Sequence, residues 1–300
     1  MPPLVSIVIP TFKSEGTVRA CLEAIERQTF TDLEVVVVDS SPDDRTEQVL
    51  NEFPWVRTIR SPQRLLPHEA RNTGVLEAQS ETLVFSDPDV YAAPDWIERL
   101  LAAHHETDDG TVAGAVTCHG HRWLDRGIHL CKYSKWLPGG IRRQVDCLTT
   151  ANVVVDRRRF KEVGGFRGDL MHGDALLGWE LRRSRPIWFE PGAVVAHHHL
   201  SSFSDFLRER YSRGIDFGLL RAEWSRLDRV GLAKFLVVTA LPIRLARIFA
   251  LVAGHSFRAG CARDYFATFP VMAAGHAAAL AGEAVAYSRL VLKKSSSPRP

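Results

Sequence analysis

The sequence predicts an α/β protein, with a mostly parallel β-sheet flanked by helices and a helical C-terminal appendage. Two observations predict the sheet. In residues 1–200, short β-branched apolar runs alternate with segments whose apolar residues recur at helical spacing, and the connections between them are short. Repeated strand–helix units of this kind place helices on both faces of a parallel sheet. After about residue 202 the strand pattern ends and long helical stretches follow. We therefore expect one sheet domain in residues 1–200 and a helical region in residues 201–292.

The first four strands are apolar runs rich in β-branched residues, which is typical of strands buried on both faces of a parallel sheet. They are predicted over residues 5–9, 34–38, 56–59 and 83–85. Apolar residues at helical spacing predict helices around residues 18–25 and 46–53. Pro67 is expected to begin a third helix that continues to about Ala78, and Pro94 a fourth helix.

The second half of the domain is less regular. A strand is predicted over residues 112–117, followed by an irregular segment, 119–146, which we expect to be functional or mobile because of its length. Another strand is predicted over residues 151–155. Asp156 is expected to begin a short helix that ends at Gly164-Gly165, and Asp174 a helix that continues to about Arg183. Residues 187–189 and 194–196 are expected to be two closing strands.

Charge and cysteine content narrow the function classes. The formal net charge of +3 is too small to indicate nucleic-acid binding, so no nucleic-acid partner is expected. Residues 201–300 carry 15 basic and 7 acidic residues, a formal charge of +8, whereas residues 1–200 carry −5. The five cysteines are scattered without a C-x-x-C pair, which indicates reduced thiols and a cytoplasmic location. The N-terminus leads directly into a predicted strand, so we expect no signal peptide.

Polar side chains follow the predicted strands at their carboxyl ends. Asp87 and Asp89 come directly after the fourth strand, Asp39 ends the second, and Arg71 lies at the start of the helix before the fourth. Ligands of open α/β sheets bind at this edge. Carboxylates there suit a hard divalent cation, and Arg71 suits a phosphate, so the pattern indicates a nucleoside-diphosphate site. The alternative for residues 87–89 is an Asp-Pro-Asp turn that caps the next helix.

Six segments, taken in order, resemble family 2 glycosyltransferases of the GT-A fold. They are residues 5–11, 38–41, 70–74, 87–89, 156–166 and 173–179, so the resemblance covers roughly residues 4–200. It implies that contacts to the nucleotide-sugar donor come from Pro10, Thr11, Glu15, Asp39, Ser41, Arg71, Asn72 and Asp87. It also implies that Mg²⁺ or Mn²⁺ is held by Asp87, Asp89 and one histidine of 197–199, for which we choose His197.

The resemblance also implies that Asp174 is the general base. The chain departs from the family pattern at two positions, because Gly173 stands where a glutamate is usual and Ser40 where an acid usually follows Asp39. Each assignment has a structural alternative. Asp39 could cap a helix at residues 42–44, Arg71 could be a surface residue, and Asp174 could be only a helix N-cap. The histidines could be solvated residues at the edge of the sheet.

These residues predict an inverting glycosyltransferase, in which one carboxylate removes the acceptor's proton while the metal stabilises the leaving diphosphate. The alternative is a catalytically inactive sugar-nucleotide-binding or membrane scaffold protein, because Gly173 replaces an acid. A nicotinamide-dependent oxidoreductase is disfavoured, since no G-x-G-x-x-G follows the first strand.

The helical region combines apolar runs with arginines, including Arg208, Arg210 and Arg213. Helices of this composition bind the surface of anionic membranes. We therefore expect a peripheral protein on the inner face of the cell membrane, acting on a glycan or lipid-linked acceptor. A solvated bundle or an oligomer interface is the alternative. Two apolar stretches, 235–243 and 265–282, look too short or too interrupted to span a membrane. Residues 293–300 are predicted to be a disordered tail.

Overall fold

The computed structural model describes residues 3–169, 171–199 and 202–293. These residues form two compact units. The sheet unit contains the described residues up to 119 together with 136–198. The helical unit contains residues 120–135 together with the described residues from 199 onward. The expected disordered tail, apart from Lys293, lies outside the described residues.

The sheet unit is built on nine described strands. These are β1 Val5–Thr11, β2 Leu33–Asp39, β3 Val56–Arg60, β4 Thr82–Phe85, β5 Val90–Ala92, β6 Val112–Cys118, β7 Arg143–Val145, β8 Val153–Asp156 and β9 Ile187–His197. Their order is β3-β2-β1-β4-β8-β6-β9-β5, with β7 also paired to β9. Six strands run in one direction and β5, β7 and β8 run in the other. The expected mostly parallel sheet is therefore confirmed, although it is not wholly parallel.

Twelve α-helices complete the described chain. They are α1 Val18–Glu26, α2 Arg45–Leu50, α3 Pro67–Glu77, α4 Trp96–Glu106, α5 Trp123–Tyr133, α6 Arg157–Glu162, α7 Gly173–Ser184, α8 Phe203–Trp224, α9 Arg229–Ala240, α10 Pro242–Arg258, α11 Ala262–Ala267 and α12 Phe269–Lys293. A 3₁₀ turn lies at Ser134–Trp136. Helices α5 and α8–α12 belong to the helical unit, and the other six belong to the sheet unit.

The central strands β1 and β2 lie in the core of the sheet unit, which agrees with their apolar sequences. All seven residues of β1 are buried, and so are the last five residues of β2. Helix α3 packs directly on β1, where a Cβ at Gly74 would lie 2.5 Å from Cγ1 of Val8. This close approach depends on a glycine at position 74. It also fixes the start of α3, which carries Arg71, relative to the strand ends.

Two expectations about the second half of the chain were wrong. The segment 119–146 is not irregular, because it contains α5, the 3₁₀ turn and β7. Helix α5 buries Ile128, Leu130 and Cys131 in the helical unit, and its Gly127 lies against Val271 of α12. The two closing strands are one strand, β9, whose register with β6 shifts between Gly114 and Ala115. Pro191-Gly192 falls at this shift and made the strand look interrupted.

The helical unit is organised around α8 and α12. Glycines allow their backbones to approach closely, since a Cβ at Gly214 would lie 2.0 Å from the carbonyl oxygen of Ala279. Pro270 lies in the first turn of α12 and does not interrupt it. By length and composition, residues 269–292 are the one described helix able to cross a membrane, and α9 with α10, bent by 65°, would be a second candidate if counted as one span.

Candidate active site

The carboxyl ends of β1, β2 and β4 meet at one edge of the sheet, as expected for neighbouring parallel strands. Thr11 lies opposite Asp39 in the β1–β2 register. The short antiparallel strand β5, which the sequence did not reveal, pairs with the end of β9 so that Val90 lies opposite His197. This pairing brings a histidine from late in the chain next to the residues that follow β4.

Asp87, Asp89 and His197 form a cluster at this edge. Each offers one ligand atom, and these atoms lie within 4.8 Å of one another. The Nε2 atom of His197 is 3.7 Å from Oδ1 of Asp89. The two carboxylates are partly exposed, whereas His197 is buried. Two carboxylates and one imidazole form a donor set that fits Mn²⁺ or Mg²⁺.

The other two histidines of the triplet lie elsewhere. Nδ1 of His198 is 3.0 Å from the hydroxyl oxygen of Tyr91, and His199 belongs to the helical unit.

Two ionisable groups flank the cluster without adding charge to it. Burial, and then the nearby carboxylates, raise the pKa of the Cys21 thiol and of the Tyr91 hydroxyl, so both stay protonated at neutral pH.

Arg71 is a buried cation beside the metal-type cluster. It is 2 % exposed, so the alternative of a surface residue is wrong. Its guanidinium donates a hydrogen bond to Asp87 and approaches Nδ1 of His68 at 3.3 Å. Its Nε atom has no hydrogen-bond partner among the described residues. A buried guanidinium with unused donor capacity suits an anionic ligand.

Asp39 is fully buried at the end of β2. Its Oδ1 accepts hydrogen bonds from the Thr11 hydroxyl at 2.9 Å and the Ser41 hydroxyl at 2.7 Å. Its Oδ2 accepts no hydrogen bond from the described residues and lies 3.6 Å from a guanidinium nitrogen of Arg60. Asp39 does not cap a helix, since Asp44 is the N-cap residue of α2. The second oxygen of Asp39 can therefore still accept a hydrogen bond at this end of the site.

Three further residues predicted to contact the donor already have protein partners. Glu15 pairs with Arg45 at 3.1 Å, and Pro10 pairs with Val38 within the sheet. The side-chain amide of Asn72 donates to the carbonyl oxygen of Phe166 at 2.8 Å and accepts from its N–H at 3.1 Å. The predicted donor contacts of these residues stay predictions.

Asp174 lies in the first turn of α7, at the second helical residue. His172 occupies the N-cap position, so Asp174 is not the N-cap. Oδ1 of Asp174 accepts a hydrogen bond from the N–H of Ala175 at 2.9 Å. Nε2 of His68 lies 3.9 Å from the same oxygen, and Nδ1 of His172 lies 4.0 Å from it. Sequence reasoning missed His68, whose only local signal was its position just after Pro67.

Comparison with known proteins places this arrangement in a family. The model of glycosyl transferase family 2 matches residues 6–163, just over half of the 300 residues. The chain belongs to this family. Glycosyltransferase AglE of Haloferax volcanii is 24% identical over 260 residues, which are 83% of this chain and 79% of that protein. Validoxylamine A glucosyltransferase of Streptomyces hygroscopicus subsp. limoneus is 35% identical over 108 residues, which are 34% of this chain and 24% of that protein.

Solved structures show the same fold. Mannosyltransferase PcManGT from Pyrobaculum calidifontis, in complex with GDP-Man and Mn²⁺, superposes with a TM-score of 0.56 at 18% identity, over 90% of this chain and 87% of that one. TarS of S. aureus superposes with a TM-score of 0.55 at 17% identity, over 86% of this chain and 43% of that one. The predicted GT-A-type fold of this family 2 glycosyltransferase is confirmed. Several of the relatives are much longer than the part that the chain matches.

Proposed function

We propose that the protein transfers a sugar, with inversion, from a nucleoside-diphosphate sugar to a hydroxyl group of an acceptor glycan. The observation that carries this proposal is the cluster of Asp87, Asp89 and His197 beside the buried cation of Arg71. Cation ligands and an arginine are what binding a diphosphate requires. The complex of PcManGT with GDP-Man and Mn²⁺ supports the same class of donor.

The donor's two ends are held by different residues of this chain. Mg²⁺ or Mn²⁺ bound by Asp87, Asp89 and His197 would supply Lewis-acid stabilisation of the leaving diphosphate. Arg71 turns from Asp87 toward the phosphates and neutralises part of their charge. The base and ribose lie near Thr11 and Asp39, where Oδ2 of Asp39 is the acceptor without a hydrogen bond among the described residues.

Asp174 takes the proton from the acceptor hydroxyl. The acceptor oxygen forms the new bond to the anomeric carbon as the bond to the diphosphate breaks, and that electron pair leaves with the diphosphate. One carboxylate on the side opposite the leaving group suffices for a single displacement, which inverts the anomeric centre. Gly173 favours the second candidate, an inactive nucleotide-sugar-binding protein, because it leaves Asp174 as the only carboxylate in the first turn of α7.

The acceptor is proposed to be lipid-linked or part of the cell envelope, with the protein peripheral on the inner face of the membrane. Support comes from the helical unit, where α9–α11 expose large apolar side chains. Among them are Val237, Ile243, Leu251, Phe257 and Phe266, each more than half exposed. Exposed cations lie on the same helices, at Lys234, Arg247, Arg258 and Arg263. Apolar residues interspersed with cations suit the surface of an anionic bilayer.

Arg208 and Arg213 contribute less to such a surface than the sequence suggested. Arg208 pairs with Asp205 at 2.8 Å, and Arg213 pairs with Glu209 at 2.9 Å. Their charges are therefore partly compensated within the helical unit, and the exposed cations of α9–α11 are the stronger support for membrane contact.

The test of the proposed function is turnover of a panel of nucleoside-diphosphate sugars, with and without Mn²⁺. Wild-type protein should release the nucleoside diphosphate only with metal present. Asp89→Asn should nearly abolish turnover and weaken donor binding in Mn²⁺ but not in chelator. Asp95→Asn, which changes a partly exposed carboxylate outside the cluster, is the matched control. Full activity of Asp89→Asn, or of the wild type in excess chelator, would contradict the proposed metal site. Donor binding without turnover would favour the inactive candidate.

A further inference from the structure

We propose that His68 is a positioning residue for Asp174, a neutral imidazole that donates a hydrogen bond from Nε2 to the carboxylate that takes the acceptor's proton. This role rests on the proposed function, because it assigns a partner to the base of that reaction. His68 lies at the second residue of α3, on the side of the site that holds Arg71. It is 3 % exposed.

The ring of His68 is fixed in its plane by stacking. It lies on the ring of Phe166 with 4.8 Å between centroids and 25° between planes. Phe166 is fixed in turn by its two backbone hydrogen bonds with Asn72. Gly165 allows this contact, because its φ of +70° favours glycine and a Cβ there would lie 3.1 Å from Oδ1 of Asn72.

Arg71 determines which nitrogen of His68 carries the proton. A guanidinium has only hydrogen-bond donors. Nδ1 of His68, which is 3.3 Å from a guanidinium nitrogen of Arg71, must therefore accept the hydrogen bond with its lone pair. The proton of the neutral ring is then on Nε2, which faces Oδ1 of Asp174 at 3.9 Å. With Nε2 protonated, His68 is not itself the base.

Gly173 provides the space for this imidazole. A Cβ at position 173 would lie 2.8 Å from Cδ2 of His68 and 2.8 Å from the carbonyl oxygen of Arg167. Because a side chain at 173 and the ring of His68 would compete for one volume, the glycine and the histidine belong to the same arrangement.

The separation of 3.9 Å is longer than a hydrogen bond, and we infer that it shortens when the acceptor binds. Catalytic hydrogen bonds are often long before the substrate is present. Once the contact forms, Oδ1 accepts from both Ala175 N–H and His68, and Oδ2 is the oxygen that takes the proton. His68 keeps its own proton throughout.

The test compares two substitutions of His68 in the full-length protein. His68→Phe keeps the stacking on Phe166 but removes both nitrogens, so kcat should fall about 10- to 100-fold, the range for a lost hydrogen bond to a charged group. The KM for the nucleotide sugar should stay within about twofold of the wild-type value. His68→Gln restores a hydrogen-bond donor near the position of Nε2 and should recover most of the rate. His104→Phe is the matched control, since His104 is equally buried but bonds the carbonyl of Gly110.

Rescue by glutamine separates positioning from packing. His68 and His172 both approach Oδ1 of Asp174, with Arg71 behind His68. A normal rate for His68→Phe, or an equal loss of rate in His68→Phe and His68→Gln, would overturn the proposal.

A readout that needs no turnover separates this proposal from the proposed function. Histidine ¹⁵N spectra of the wild type, with His68→Gln used for assignment, should show His68 neutral at pH 7 with the proton on Nε2. A proton on Nδ1, or a charged ring, would refute the role of His68 whatever the activity. Absence of turnover by the wild type with every donor, together with the expected tautomer, would refute the proposed function and with it the catalytic role of His68.

Discussion

Replacement of Arg71 by methionine should have opposite effects on metal and diphosphate binding. The substitution keeps the side-chain volume but removes a buried positive charge that donates to Asp87. Loss of a hydrogen bond to a charged group costs about 1.5–3 kcal/mol. Because the Asp87 side chain is 22% exposed and is partly stabilised by water, we expect a destabilisation of about 1–2 kcal/mol in the metal-free protein.

Mn²⁺ should bind more tightly to Arg71→Met than to the wild type, and the bound metal should restore part of the lost stability. With the guanidinium gone, a cation meets the carboxylates of Asp87 and Asp89 without a competing positive charge. The Kd for Mn²⁺ should therefore fall, by roughly tenfold if about 1.4 kcal/mol of repulsion is removed. The nucleoside diphosphate loses its cationic partner, and its affinity in saturating Mn²⁺ should fall by roughly tenfold or more.

Thermal unfolding and calorimetry measure both effects. Wild type and Arg71→Met are titrated with Mn²⁺ alone and then with GDP or UDP in saturating Mn²⁺. Arg157→Met is the matched control, because Arg157 is also buried in the sheet unit but donates to the carbonyl oxygens of Val75, Ala78 and Ser80. That control should lose stability without a change in either affinity. If Arg71→Met binds both ligands as the wild type does, Arg71 has only a structural role.

Three further predictions concern the base, the acid limit of stability and the membrane. Asp174→Asn should lower turnover by about 10²-fold or more with little change in donor affinity, and a near-normal rate would show that another group takes the proton. Burial raises the pKa of Glu209, but the charges of Lys132 and Arg213 outweigh burial and lower this pKa to about 2. The stability that the Glu209 carboxylate contributes is therefore complete above about pH 4.5 and is lost as the pH falls toward 2. In urea unfolding experiments, the free energy of unfolding of Glu209→Gln should change by about 1–2 kcal/mol less between pH 7 and pH 3 than that of the wild type. The same change in both proteins would refute this account. Full-length protein should float with anionic liposomes, less so at high salt, and Ile243→Ser with Phe257→Ser should reduce flotation whereas the exposed control Leu76→Ser should not. Protein that stays in solution at every salt concentration would indicate a bundle or dimer surface, and release only by detergent would indicate a span.

The sequence predicted the position of site residues best when they directly follow the end of a parallel strand. Asp39, Asp87 and Asp89 could be placed together because adjacent parallel strands end at one edge of a sheet. The proximity of His197 could not be derived in this way, because it depends on the antiparallel pairing of β5, a strand of three residues without a distinct pattern. The family resemblance, not the local sequence, led to this histidine.

The segment 119–146 was misassigned because its structure depends on packing between distant parts of the chain. Helix α5 carries Asp125, Arg126 and Gly127 among its apolar residues, so its buried face becomes recognisable only against α11 and α12. His68 was missed for the same reason, since its neighbours Phe166 and Asp174 are about a hundred residues away. Contacts of this kind have no periodic signature in the sequence.

The paired hydrogen bonds between Asn72 and Phe166 have a mechanical consequence. They join α3, which carries Arg71, directly to the backbone of Phe166, whose ring stacks on His68. A substitution of Asn72 that removes both hydrogen bonds should therefore loosen the stacked ring of His68 together with its attachment to α3.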